Sequence, residues 1–347
     1  MESEKRHKKP YLELLRVIAI FGVVFCHTES AGIHHYVMTS NPVNYWISIF
    51  LASVCQYCIP LFFMISGAVL LNREESISYV YKHRVIRIGL ITVLMGLMQY
   101  LWIYRGHWET MTLKGAVRLL YEGDTVAPLW FLFAYLSFLM ALPFLQRFVR
   151  AITDERWFFY LLILYTFCND FLAIPEYYLG WNHTMLNLPI LEYPVLMTVM
   201  GYFVEHRSGD MFLKARNIAA MIGISGGMTL LSMFVNQSAL EGANYITMGN
   251  LFAPVYAMTI FVTVRYLVYK HPMPAALERV VCFAGAGAFV TYLTEIQLRD
   301  FFYPVYEFLG PRIHAIPAAF VWTGVCVLTG VLLAGILRRI PVVRKLI

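Results

Sequence analysis

The stretch LELLRVIAIFGVVFCH, Leu12 to His27, decides what kind of protein this is. It is apolar on nearly every turn, and with its flanks it approaches the roughly 20 residues a helix needs to cross a bilayer. Yet it carries Glu13, Arg16 and His27. An ionisable side chain inside a spanning helix is costly and usually faces a bundle interior or a watery cavity. Arg16 and His27 are eleven residues apart, which places them within about 20° of one helix face and roughly 16 Å apart along the axis. That face presents a guanidinium near the cytoplasm and an imidazole deep in the protein. A structural reading stays open beside it, with Arg16 bonded to Glu13 and His27 bonded to a carbonyl.

The rest of the chain shares this character. Of its 347 residues 59% are hydrophobic and 14% charged, against about 25% charged in a soluble globular chain. Lipid is therefore the solvent for most of it. An aromatic content of 16% agrees, because Trp and Tyr collect at membrane–water interfaces. Ten spans are predicted, over 11–28, 44–71, 84–104, 127–145, 157–174, 189–205, 216–236, 247–269, 280–299 and 315–337. The start MESEKRHKKP has a signal-like charge, but no small-residue cleavage site follows, so it leads into an uncleaved first span.

Topology follows from Lys and Arg, which concentrate on the cytoplasmic side. With both termini inside, 18 of the 27 basic residues fall on that side and five outside (Arg105, Lys114, Arg118, Arg299 and Arg312). The net charge of +6 thus reads as topology rather than as a nucleic-acid footprint. The fold predicted is an all-α polytopic membrane helix bundle, residues 1–347 forming a single integral-membrane domain with no soluble domain appended. Residues 105–126, 174–188 and 300–314 are predicted as short ordered outer loops; acceptor choice is expected in the outer loops, and no particular sugar is read from Trp108, Trp181 or Tyr245. Cys55 and Cys58 form a C-x-x-C pair with no second pair or histidines at zinc spacing, so no metal is assigned.

Four further segments carry polar residues or helix-packing signals. Arg84 and Arg87, at i,i+3 in the third span, are neighbours on one face. They read as a lipid-headgroup anchor or as a clamp for phosphates, which guanidinium binds in a fork. PLFFMISG, Pro60 to Gly67, reads as helix packing, since Ser66-Gly67 permits close approach. PLWFLFAY, Pro128 to Tyr135, opens the fourth span with aromatic residues suited to the interface. In TYLTEIQLRD, Glu295 lies within the apolar ninth span and pairs with Arg299 at i,i+4.

Together these segments resemble the acyltransferase-3 family of integral-membrane acyltransferases. The family's Arg-x10-His pattern is matched by Arg16 and His27, R-x-x-R by Arg84 and Arg87, F-x-x-S-G by Phe63, Ser66 and Gly67, and W-F-x-x-x-Y by Trp130, Phe131 and Tyr135. The resemblance covers the whole chain, and its short form looks most like the bacterial branch that acetylates sugars of surface glycans, in the cytoplasmic membrane. One position departs: Tyr292, Leu293, Thr294 and Glu295 stand where many relatives read Y-L-x-H. A catalytic role there is in doubt, or has become that of a base or an orienting group.

What the resemblance implies is an O-acetyltransferase. Acetyl-CoA comes from the cytoplasm, its phosphates held by Arg84 and Arg87 with Ser66 nearby and Arg16 lining the route. His27 acts on the acceptor hydroxyl as general base or carries the acyl group transiently. Glu29, Trp130, Tyr135 and Glu295 face the acceptor, a sugar or glycan. Membrane lipid is the other partner, nucleic acid is not, and oligomerisation stays open. The competing readings are a transporter or flippase for a lipid-linked or anionic small molecule, in which the same charges line a path, and a sensor that binds acyl-CoA without turnover.

Overall fold

The computed structural model describes residues 9–122, 129–179, 192–241 and 251–346. Trp181, Tyr245, Pro128 and the basic residues Lys5, Arg6 and Lys8 lie outside them. The described residues are helical almost throughout. In chain order the helices are α1 (Pro10–Cys26), α2 (Pro42–Val54), α3 (Cys58–Leu70), α4 (Ile77–Val80), α5 (Ile86–Ile103), α6 (Leu113–Glu122) and α7 (Leu129–Ala151). There follow α8 (Arg156–Tyr165), α9 (Ile174–Leu179), α10 (Tyr193–Tyr202), α11 (Ala215–Glu241), α12 (Ala253–Lys270), α13 (Ala275–Ile313), α14 (Ala315–Leu337) and α15 (Pro341–Leu346).

Among the described residues six helical stretches are long and apolar enough to cross a membrane: Pro42–Leu70, Ile77–Ile103, Leu129–Ala151, Ala215–Gln237, Ala275–Ile313 and Ala315–Leu337. The other predicted segments fall on shorter or interrupted helices, such as α1 with 17 residues and α8, which runs into a π turn. Exposed apolar stripes mark the faces that meet lipid. On α5 these are Ile86, Leu90, Val93, Leu97 and Leu101, spaced three and four apart as one helix face requires. A solvated surface does not carry such a continuous stripe.

The helices group into two compact units. The first comprises Met1–Val69 with Ile152–Gly335, and α1 is its inner helix. Leu15, Ala19, Ile20 and Val24 are fully buried, as expected of a helix apolar all round. The start of α1 is pinned where Lys9 and Tyr11 both donate to the buried carboxylate of Glu205. α1 packs along α13, and the closeness depends on a glycine: a Cβ on Gly285 would sit 2.5 Å from the Glu13 carbonyl oxygen. α3 meets α10 still more tightly. A Cβ on Gly67 would fall 1.8 Å from the Thr198 oxygen, and one on Gly201 1.9 Å from the Met64 oxygen. Two backbones thus touch at a reciprocal glycine pair, the arrangement small residues permit between membrane helices.

The second unit, Leu70–Ala151 with Ile336–Ile347, packs α5 against α6 and α7. Tyr100 ties α5 to the start of α6, accepting from Thr112 N at 3.1 Å and donating to Thr112 O at 3.2 Å. Gln146 Nε2 on α7 donates to Leu70 O at 3.0 Å.

Among the described residues three π-helical turns interrupt the regular helices, at Tyr81–Val85, Thr166–Asp170 and Phe203–Arg207. Each carries one of the enclosed ionisable residues Arg84, Asp170 and Glu205. A π turn widens the helix by one residue and is frequent at functional sites.

Two expectations about loops are corrected. Residues 300–313 continue α13, a helix of 39 residues, instead of forming a loop. Pro304 and Pro311 each remove one backbone donor, but Tyr303 and Tyr306 pack on Trp322 of α14 and hold the extension in place. Within 105–126, α6 is an amphipathic helix that buries Ala116 and Leu119.

Candidate active site around His27

α1 ends at its C-cap, His27. The next residues turn sharply: Thr28 Oγ1 donates back to Phe25 O at 2.7 Å and accepts from Ile33 N at 3.1 Å. Glu29 takes a positive φ of 49°, a strained conformation for a residue with a Cβ, of the sort concentrated at functional sites. The imidazole is thereby left at a helix end, three-quarters covered, with 24% of its side chain exposed.

α13 supplies its neighbours. Glu295 Oε1 lies 3.0 Å from His27 Nδ1, and the Glu295 side chain is wholly buried. The two atoms are within ion-pairing distance but off the line of a hydrogen bond. Arg299, one turn further along, donates from Nε to Glu295 Oε2 at 2.8 Å and from Nη1 to the backbone carbonyl of His27. Trp322 on α14 donates from Nε1 to Arg299 O at 3.3 Å. α13 thus sets a carboxylate beside the imidazole, and α14 buttresses α13 behind it.

The chemistry follows from the contacts. A carboxylate beside Nδ1 favours the tautomer that keeps the proton there and leaves the Nε2 lone pair available. Nε2 makes no hydrogen bond to any described residue, so it is the atom able to take a proton. Arg299 neutralises part of the Glu295 charge. Glu29, two residues beyond His27, has its carboxyl held below the usual range, chiefly by its bond to His34, with the charges of His27 and Arg299 adding to this against the effect of burial.

The other expected site residues divide between the two units. In the first, Arg16 Nη1 donates to Glu13 Oε1 at 2.5 Å, and no described interaction joins it to His27. Ser66 Oγ donates to Phe62 O of its own helix at 2.9 Å, while Gly67 makes the close crossing. In the second unit Arg84 grips Glu75 with two bonds, Nε to Oε2 at 2.7 Å and Nη2 to Oε1 at 2.5 Å. Arg87 Nε donates to Leu346 O at 2.8 Å. Tyr135 stacks on Phe131 with centroids 5.9 Å apart. Trp130 is 39% exposed and meets Phe131 edge-on.

The structure therefore brings His27 together with Glu295, and Arg84 with Glu75. Sequence reasoning found Glu295–Arg299 from its i,i+4 spacing but missed Trp322 and Glu75, neither of which carries a local signal. Among the described residues no group of three His, Cys, Asp or Glu side chains could hold a metal ion. A family model described as an acyltransferase domain matches residues 9–337. No curated protein and no solved structure matches the chain.

Proposed function

The chain belongs to the acyltransferase-3 family, and on that premise we propose that it transfers an acetyl group from cytoplasmic acetyl-CoA to a sugar hydroxyl of a surface glycan or lipid-linked acceptor. The observation that carries this reading is the carboxylate of Glu295 3.0 Å from Nδ1 of His27, a base and its orienting group inside a membrane acyltransferase. His27 Nε2 takes the acceptor hydroxyl proton as that oxygen attacks the thioester carbonyl. The carbon–sulfur bond then breaks, and the imidazolium returns the proton to the departing CoA thiolate, leaving ester and CoA. Glu295 stabilises the imidazolium between those steps, the role a buried carboxylate plays toward a catalytic histidine in hydrolases.

In this reading Arg84 and Arg87 serve the donor phosphates, with Arg16 and Ser66 on the donor side. Glu29, Trp130 and Tyr135 serve the acceptor. The chain works as one domain in a bacterial cytoplasmic membrane with both termini inside.

The test is chemical. Purified protein is given acetyl-labelled acetyl-CoA and membranes holding the acceptor. The account expects label in the glycolipid or glycan fraction and free CoA in equal amount, both absent with His27→Ala. Movement of a solute with no free CoA would replace the enzyme by a transporter.

A further inference from the structure

Within the second unit a cavity of about 340 Å³ is lined by Glu74, Glu75, Pro143, Gln146, Arg147 and Arg150 among others. Its size falls at the lower end of small-molecule sites, about 300–1,000 Å³. Its chemistry is that of an anion site with internal anions in place. Arg84 is filled by Glu75 in the two-bonded fork that guanidinium also offers a phosphate, and Arg73 lies 3.5 Å from the same carboxylate. Arg150 holds Glu74 at 2.7 Å, but Glu74 is 82% exposed, and surface pairs of that kind are weak. Arg147 makes no ion pair with any described residue. Two guanidiniums, Arg147 and Arg150, therefore share the cavity wall with the two carboxylates, and Arg84 and Arg73 stand behind Glu75, around a space larger than one phosphate needs. Arg147 and Arg150 stand at i,i+3 on α7, the same spacing as Arg84 and Arg87.

We propose that this cavity takes the phosphorylated nucleotide head of the acyl-CoA donor, with Arg147 and Arg150 as phosphate ligands and Glu75 as the internal anion that an incoming phosphate displaces from Arg84. The inference rests on the acyltransferase reading for the identity of the donor. It adds a site and a competition that the R-x-x-R pair alone does not contain. Glu75 keeps Arg84 placed and neutralised while no donor is bound, so donor affinity is set by the exchange of one anion for another.

The full chain in phosphatidylcholine nanodiscs is titrated calorimetrically with CoA and with adenosine 3′,5′-bisphosphate. Arg147→Gln/Arg150→Gln is expected to weaken both ligands at least tenfold, and Glu75→Gln to tighten both several-fold. The second result guards against misfolding, because a damaged protein does not bind more tightly. CoA binding unchanged in the double variant overturns the cavity as donor site and leaves the acyltransferase reading standing. No CoA binding by the unaltered protein overturns both. A double variant that binds CoA normally but retains less phosphatidylglycerol, read by mass spectrometry, overturns the nucleotide assignment in favour of a lipid headgroup.

Discussion

Arg299 holds His27 by its backbone: Nη1 donates to the His27 carbonyl while Nε donates to Glu295, so one guanidinium ties the end of α1 to the carboxylate beside its imidazole. Removing it leaves a buried carboxylate with only the imidazole to neutralise it, which favours the imidazolium. Arg299→Gln is expected to lower kcat about tenfold or more and to move the acid limb of the pH–rate profile to higher pH. Arg299→Lys keeps a charge but cannot bridge two acceptors with a planar fork, so it should lower kcat with a smaller movement of the limb. A uniform fall at every pH would make the role of Arg299 purely structural.

The crossing of α3 and α10 makes a stability prediction. A methyl group on Gly67 or Gly201 would overlap a backbone carbonyl, and backbone cannot swing aside as a side chain can. Gly67→Ala and Gly201→Ala should each destabilise the fold by about 1–3 kcal/mol or more, seen as a lower Tm in detergent. Ser66→Ala, whose hydroxyl bonds only its own helix, should change Tm far less. An unaltered Tm in both glycine variants would contradict this packing.

Glu75 and Arg84 form a partly enclosed pair, with side chains 11% and 19% exposed. Arg84→Ala leaves Glu75 without its two-bonded partner, so part of its effect on any assay is structural. A double-mutant cycle with Glu75→Gln is expected to give a coupling of about 0.5–3 kcal/mol in unfolding free energy. The doubly altered protein should recover stability but not donor binding. Additive single effects would show that the pair contributes nothing.

The same pair has a pH signature. Burial works to raise the Glu75 pKa, but the bonds and charge of Arg84, with Arg73 behind them, outweigh it and hold the carboxyl below its ordinary range. A carboxyl depressed in the folded state stabilises above its unfolded pKa of about 4.3, and that contribution is lost as pH falls through the folded value. Glu75→Gln should therefore flatten the Tm–pH curve on the acid side of the unfolded carboxyl's pKa. A curve unchanged in shape would contradict the assignment.

What could be read from the sequence was local. Apolar runs marked the membrane helices, and Glu295–Arg299 and Glu13–Arg16 showed in their spacing of four and three residues. The decisive contact joins His27 to Glu295, 268 positions apart, and no periodic pattern carries that. Glu75 sits nine residues before Arg84 in a short connection, where nothing local announces a partner. Pro304 and Pro311 read as a loop because proline usually ends a helix, yet packing on Trp322 outweighed the lost backbone bonds. The carboxylate of Glu295, where the family resemblance leads to a histidine, became intelligible only once it was placed against another helix's histidine.

The central claim, that Glu295 orients His27 as the base, is tested most directly by the pH–rate profile of Glu295→Gln. Gln keeps the shape and removes the charge, so the imidazolium loses its partner. We expect kcat to fall by about 10²-fold or more, as when a carboxylate behind a catalytic histidine is replaced by its amide, with the acid limb moved to lower pH, opposite to Arg299→Gln. A Glu295→Gln protein with the kcat and profile of the unaltered enzyme would contradict the account.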